Sequence, residues 1–191
     1  MALRTLRCAI EEIAEWHPQL FLEPHIVACA GVLGQYSESP AVLQVDCEGI
    51  ASRWLGKARR FRLEISWTGE TANQAARLRR TMQSNVLVEM AAVALAMVLA
   101  HRVLPLGPLD VTDYGDRADY RSLSESTVLE ISGTETLSES GRRHREKVAQ
   151  ALANPFGWDA CVVVCAFSSR GHRIRFTRHR SEDSARGQSE E

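Results

Sequence analysis

The chain has almost no net charge: 23 Lys and Arg stand against 24 Asp and Glu, leaving a formal charge of -1 over 191 residues. That balance gives no global attraction to nucleic acid or to a membrane surface, so any electrostatic partner has to be sought in local clusters. There is no C-x-x-C pair. Cys8, Cys29, Cys47, Cys161 and Cys165 are odd in number and lie in apolar surroundings, which points to reduced core thiols in a cytosolic protein, not to disulfides or a zinc site. The N-terminus has no continuous apolar signal core, because Arg4, Arg7, Glu11, Glu12 and Glu15 interrupt it. Residues 1–16 are therefore predicted as an amphipathic helix, and a cytoplasmic location is expected. The most apolar stretch, residues 86–100, is short for a membrane span and rich in alanine; it reads as a core helix, and no membrane partner is expected. The sequence also lacks G-x-S-x-G, G-x-x-x-x-G-K-[ST], G-x-G-x-x-G and H-E-x-x-H, so the common serine-hydrolase, nucleotide-binding and zinc-protease chemistries have no motif to rest on.

What remains is an ordinary soluble composition, 45% hydrophobic and 25% charged, in a length that suits one domain with or without an extension. Strands are predicted at residues 25–34, 41–47 and 60–67. In the third, Phe61, Leu63, Ile65 and Trp67 alternate with Arg60, Arg62, Glu64 and Ser66, the pattern of a sheet with one solvated face. Residues 1–68 thus read as a helix plus a three-stranded β-unit. A helical region through Glu70, Ala75, Leu78 and Met82 is followed by a second helix over residues 86–104, either separate from it or continuous with it. Further strands are predicted at 109–113, 117–123 and 127–132, then a helix at 138–153 and strands at 160–167 and 173–179. Residues 181–191, SEDSARGQSEE, read as a disordered acidic tail.

Three acids stand out within residues 69–180. Glu89 is the only polar side chain in VLVEMAAVALAMVLA, so it is expected to be buried and to need a partner: an arginine, the helix dipole or a site. In Val128-Leu129-Glu130-Ile131-Ser132 the period of two sends Leu129 and Ile131 to a core and displays Val128, Glu130 and Ser132 on the other face. A polar linker, residues 122–126, is long enough for a hairpin that sets Asp119 beside Glu130. Two adjacent carboxylates need a cation, a proton or an arginine between them, and hard oxygen ligands suit Mg²⁺ or Mn²⁺.

With its acids and its order of helix, three strands, helix and two strands, the chain resembles the PD-(D/E)xK nuclease superfamily over about its last 100 residues. The resemblance implies an α/β, restriction-endonuclease-like fold with an N-terminal β-rich extension. It also implies a divalent metal held by an acid from the first helix, an acid from the second strand and the acid of Glu-x-Lys on the third. The matching positions are Glu89, Asp119 and Glu130, with Asp116 a rival for the second. Ser132 stands where that lysine belongs. A hydroxyl supplies no positive charge, so either catalysis is lost or another cation substitutes; Lys147 on the following helix is the candidate, with Gln150 one turn beyond, since the family tolerates a lysine displaced there. Arg142, Arg143, Arg145 and Lys147 read equally as a solvated helix face.

Arg173 and Arg175 share one face of the last predicted strand, with Ile174 and Phe176 on the other. Together with Arg143 they are candidate contacts to a phosphate backbone; the plainer reading is an edge strand protected by charge. Trp54, Trp67 and Trp158 read as core or interface anchors. Two functions follow: a Mg²⁺- or Mn²⁺-dependent nuclease using Asp119, Glu130, Ser132 and Lys147 on nucleic acid, or a degenerate copy of that fold serving as a binding subunit of a larger complex. A chain of this size without a recognisable reading module is expected to dimerise or to work beside a partner.

Overall fold

The computed structural model describes residues 3–181. Its strands are β1 (Thr5–Ala9), β2 (Ala41–Glu48), β3 (Arg60–Ser66), β4 (Asp110–Val111), β5 (Tyr120–Ser122), β6 (Thr127–Thr134), β7 (Asp159–Ala166) and β8 (His172–His179). They form one eight-stranded mixed sheet in the order β1-β3-β2-β8-β7-β6-β5-β4. The helices are α1 (Ile13–Trp16), α2 (Glu23–Leu33), α3 (Gly69–Leu78), α4 (Ser84–Arg102) and α5 (Ser140–Leu152). The architecture is mixed α/β.

The sheet has two unequal halves. In β6 and β7 every residue is buried, because helices cover both faces. On one side Leu129, Ile131, Cys161 and Val163 join the main core with α4 and α2; on the other Val128, Ala160, Val162 and Val164 pack with Ala151 and Val148 of α5. Both strands accordingly read as continuous apolar segments. The helix α5 links β6 to β7, which pair in parallel, as a crossover must. In β2 and β3 burial alternates: Leu43, Val45, Phe61, Leu63 and Ile65 enter the core while Arg60 and Arg62 face solvent.

The N-terminal strands do not form a sheet of their own, since β2 pairs in parallel with β8 and extends the same sheet. Two predicted elements are corrected. Residues 1–16 are not one helix: β1 comes first, with Leu6 and Cys8 buried and Arg7 exposed, then a 3₁₀ turn at Ile10–Glu12 and α1. Its alternation spans only five residues, too few for the period to stand out. Residues 25–34 are helical, not extended. They are apolar nearly all round, which leaves periodicity silent between helix and strand, and the signal that decides is Pro24 in the first turn of α2.

The predicted strands at 109–113 and 117–123 shrink to two and three residues, with positive φ at Gly115 and Arg117 breaking the chain between them. The helices α3 and α4 are separate. By length and apolar composition α4 could cross a membrane, but here eleven of its residues are buried against the rest of the fold. All five cysteines are free and buried. Of the predicted acidic tail, residues 182–191 lie outside the described residues.

Candidate active site

The site forms where β6 outruns its neighbour. The short β5 pairs with β6 only from Thr127 to Leu129. Leu129 turns its backbone groups toward β5, and its carbonyl accepts from Asp119 N at 3.1 Å. Alternation along a strand then leaves the N–H groups of Ile131 and Gly133 on an uncovered edge, where two carboxylates take the place of a strand. Asp119 Oδ2 accepts from Ile131 N at 2.7 Å, and Glu89 Oε2 accepts from Gly133 N at 2.7 Å. A missing strand partner thus becomes a reason to gather acids.

Glycine at 133 makes this approach possible, because a Cβ there would sit 2.3 Å from the Val88 carbonyl oxygen of α4. Glu89 itself is not buried as predicted: its side chain is 48% exposed. It stands near the start of α4, where Ser84, Asn85 and Val86 are also exposed, and it reaches past the sheet edge. There it accepts from Ser132 Oγ at 3.3 Å and pairs with Arg143 Nη1 at 3.2 Å. Arg143 also donates to Ser132 Oγ at 3.1 Å. The residues read as helix-face cation and missing-lysine serine are joined in one network with the helix acid.

Glu130 faces α5, as its period of two requires, but it is not displayed: its side chain is 1% exposed. From α5, Lys147 Nζ donates to Glu130 Oε1 and, at 3.3 Å, to Gln150 Oε1. Glu130 Oε2 is buried without a hydrogen-bond partner. Burial, then the nearby Asp119 charge, pushes the Glu130 carboxyl up to about 7, with Lys147 opposing. Asp119 keeps an exposed rim, yet protein crowded around the carboxyl raises it above the usual carboxylate range; the Ile131 N–H and Lys147 pull it back, and Glu89 pushes the same way as burial. The rival Asp116 is turned away: it accepts from Asp113 N at 2.8 Å and lies 3.9 Å from Arg121.

Glu89, Asp119 and Lys147 line one cavity of about 490 Å³ together with His25, Tyr120 and Ile131. His25 and Tyr120 escaped the sequence reading, and Gly133 did too; a glycine inside a strand was its signal. Of the predicted nucleic-acid contacts, Arg143 belongs to the site, whereas Arg173 and Arg175 lie on β8, Arg173 pairing with Asp46 at 3.7 Å. Among the described residues no three His, Cys, Asp or Glu side chains converge as a ready-made metal cage. Mg²⁺ does not demand one, since it is held by one or two carboxylates plus water and substrate phosphate. Asp119 and Glu130 are two carboxylates of that type, and Glu130 Oε2 is buried without a hydrogen-bond partner. No family model, no curated protein and no solved structure matches this chain.

Proposed function

We propose that this protein is a divalent-metal-dependent nuclease of the PD-(D/E)xK kind, with Lys147 in the role that Ser132 vacates. The observation that carries the reading is the meeting of Lys147 of α5 with buried Glu130 of β6, beside Asp119 and above a cavity open to solvent. Asp119 and Glu130 would hold Mg²⁺ or Mn²⁺, with Glu89 near enough to add negative charge. When bound, the cation would supply Lewis-acid polarisation of a phosphate oxygen and a more acidic water.

The chain's own residues supply the rest. Lys147 brings a compact ammonium with several donors, able to orient a water against phosphorus and to stabilise charge growing on the phosphate. Gln150 holds the ammonium on its far side. Ser132, tied to Glu89 and Arg143, keeps the helix acid and a guanidinium at the site without bearing charge itself. Glu130 is proton-hungry until a cation replaces the proton, so occupancy by metal and by proton compete.

Incubation of the protein with DNA and RNA in Mn²⁺, beside Glu130→Gln and Lys147→Ala, tests the proposal. The expected result is cleavage by the wild type, lost in both variants. A second reading, a non-catalytic binding subunit of a larger complex, is favoured by how fully Glu89 is engaged: it holds Gly133 N, Ser132 and Arg143 at once. No turnover by wild type or variants would leave that reading.

A further inference from the structure

Residues 51–62, ASRWLGKARRFR, carry five cations and no acid. They form the β2–β3 loop and the start of β3, and the fold holds them firmly. Leu55 is buried, Trp54 meets the Phe61 ring edge-on at 5.0 Å, Cys47 N donates to the Arg59 carbonyl at 2.7 Å, and Arg4 donates to the Trp54 carbonyl. With the backbone fixed, Arg53, Lys57, Arg59, Arg60 and Arg62 all project into solvent. Arg4, Lys57, Arg59 and Arg60 border a cavity of about 490 Å³. Arg60 is paired with Asp46 at 2.6 Å; among the described residues no carboxylate lies within ion-pair distance of Arg53, Lys57, Arg59 or Arg62.

Strand register gives the spacing between this cluster and the site, the open face ending at β8 where α5 covers β7 and β6. Arg62 stands opposite Gln44, Gln44 opposite Arg173, Arg173 opposite Ala166, and Ala166 opposite Thr134. The adjacent row runs Arg60, Asp46, Arg175, Val164, Ser132. Four strand spacings of about 4.8 Å separate β3 from β6, roughly 19 Å in all. At about 3.4 Å per base pair, that is the length of some five to six base pairs.

We propose that the exposed face of β3, β2 and β8, with the cationic β2–β3 loop, is a docking surface for the phosphate backbone of double-stranded nucleic acid leading to the Glu130 site. The inference rests on the nucleic-acid substrate proposed above. On the strands Asp46, Glu48 and Glu64 nearly balance Arg60, Arg62, Arg173 and Arg175, so the cations of the β2–β3 loop are what select a polyanion, and the absence of exposed Phe, Tyr or Trp rings on these elements selects a duplex. The exposed aromatic side chains Phe21, Tyr36 and Tyr114 belong neither to these strands nor to the loop, and Trp54 is committed to Phe61. Single strands are gripped by stacking their bases on such rings; a duplex is held through its phosphates.

The test is fluorescence anisotropy over a range of salt, in EDTA so that nothing is hydrolysed, using the full chain and a labelled duplex about 20 base pairs long. The same sequence as a single strand and phosphatidylserine vesicles are the competing probes. The variant Lys57→Ser/Arg59→Ser/Arg62→Ser is expected to bind duplex at least about tenfold more weakly and to lose roughly 2 to 3 from the slope of log affinity against log salt, near 0.9 per phosphate contact. Should the triple variant melt early, Arg59→Ser alone is expected to lower the slope by about 0.9. Arg77→Ser/Arg80→Ser, on and just beyond α3, is expected to bind as the wild type. No duplex binding by the wild type, an unchanged slope in the variants, equal or tighter binding of the single strand, or preference for vesicles overturns the proposal. Salt-dependent duplex binding by a chain that cleaves nothing would sink the catalytic reading alone.

Discussion

The two halves of the sheet treat polar residues differently. On β2 and β3 the outward positions are polar except for Val42 and face water, which is what a half-solvated sheet does by default. On β6 the polar side chains Thr127, Glu130, Ser132 and Thr134 are all buried, between α4 on one face and α5 on the other. A carboxylate in such a place costs several kcal/mol unless it is paired, so its presence calls for an explanation that Glu64 on β3 does not need. The lesson is that a polar residue carries functional information in proportion to the burial that opposes it.

The sharpest way to break that contrast is to neutralise one acid in each half. Glu130→Gln is expected to lower Mn²⁺-dependent cleavage by about 10² to 10⁴, the range for losing a group that holds or orients reacting atoms. Glu64→Gln, which removes only a partner of Arg7, is expected to change cleavage less than about twofold, as surface substitutions do. Initial rates on one plasmid substrate measure both. Equal losses would show that burial does not mark the site.

Next in size is a packing difference. A methyl at Gly133 meets the Val88 carbonyl and must push α4 off β6, so Gly133→Ala is expected to cost about 3 kcal/mol, as overpacking does. On the open half, Gln44→Ala is expected to change stability by less than about 0.5 kcal/mol. Urea unfolding of the two variants gives the comparison directly, and a mild Gly133→Ala would mean that α4 does not touch β6 as closely as the geometry has it.

Protonation separates the halves as well. The Glu130 carboxyl titrates near 7 when folded, against about 4.5 as an isolated group. The folded state therefore holds a proton that the unfolded chain has released, and stability from this group is fully present below pH 4.5 and lost as pH rises through 7. The slope approaches about 1.4 kcal/mol per pH unit inside that window. Glu130→Gln removes it, whereas cleavage by the wild type is expected to rise through the same window as the carboxylate becomes free to take metal. Melting temperature against pH, for wild type and variant, reads the first; a flat wild-type profile between 4.5 and 7 would contradict the burial of this acid.

Much of the closed half is legible because burial on two faces writes long apolar runs: residues 160–167 predict a central strand, and the period of two in 128–132 sends Glu130 away from Leu129 and Ile131. The hairpin count set Asp119 against Glu130, one step beyond the observed Tyr120–Leu129 pair. Residues 25–34 are helical where a strand is predicted, for the converse reason, since an apolar run has no period to read. The exposure of Glu89 was illegible because it depends on where α4 overhangs the sheet edge. The turning of Arg143 toward Glu89 is a tertiary contact between residues 54 apart in the chain. The cationic β2–β3 loop was in plain sight, but its meaning needs the strand register that lines it up with β8 and β6.

The smallest expected effect lies in the open half and sharpens the contrast from below. Arg7 and Glu64 face each other across the β1–β3 pair at 3.2 Å, with the arginine side chain 72% exposed. Such a pair gains little attraction in water and spends side-chain freedom to hold its geometry. A double-mutant cycle of Arg7→Ala and Glu64→Ala is expected to give a coupling of about 0.5 kcal/mol or less, fading as salt shortens the screening length. Across Lys147 and Glu130 the same cycle is expected to exceed it several-fold and to resist salt, because leaving a buried charge unpaired costs about 3 to 5 kcal/mol. Two ion pairs to carboxylates of one sheet would then differ chiefly in how far they are covered, and similar couplings would place Glu130 in a far wetter environment than its 1% exposure describes.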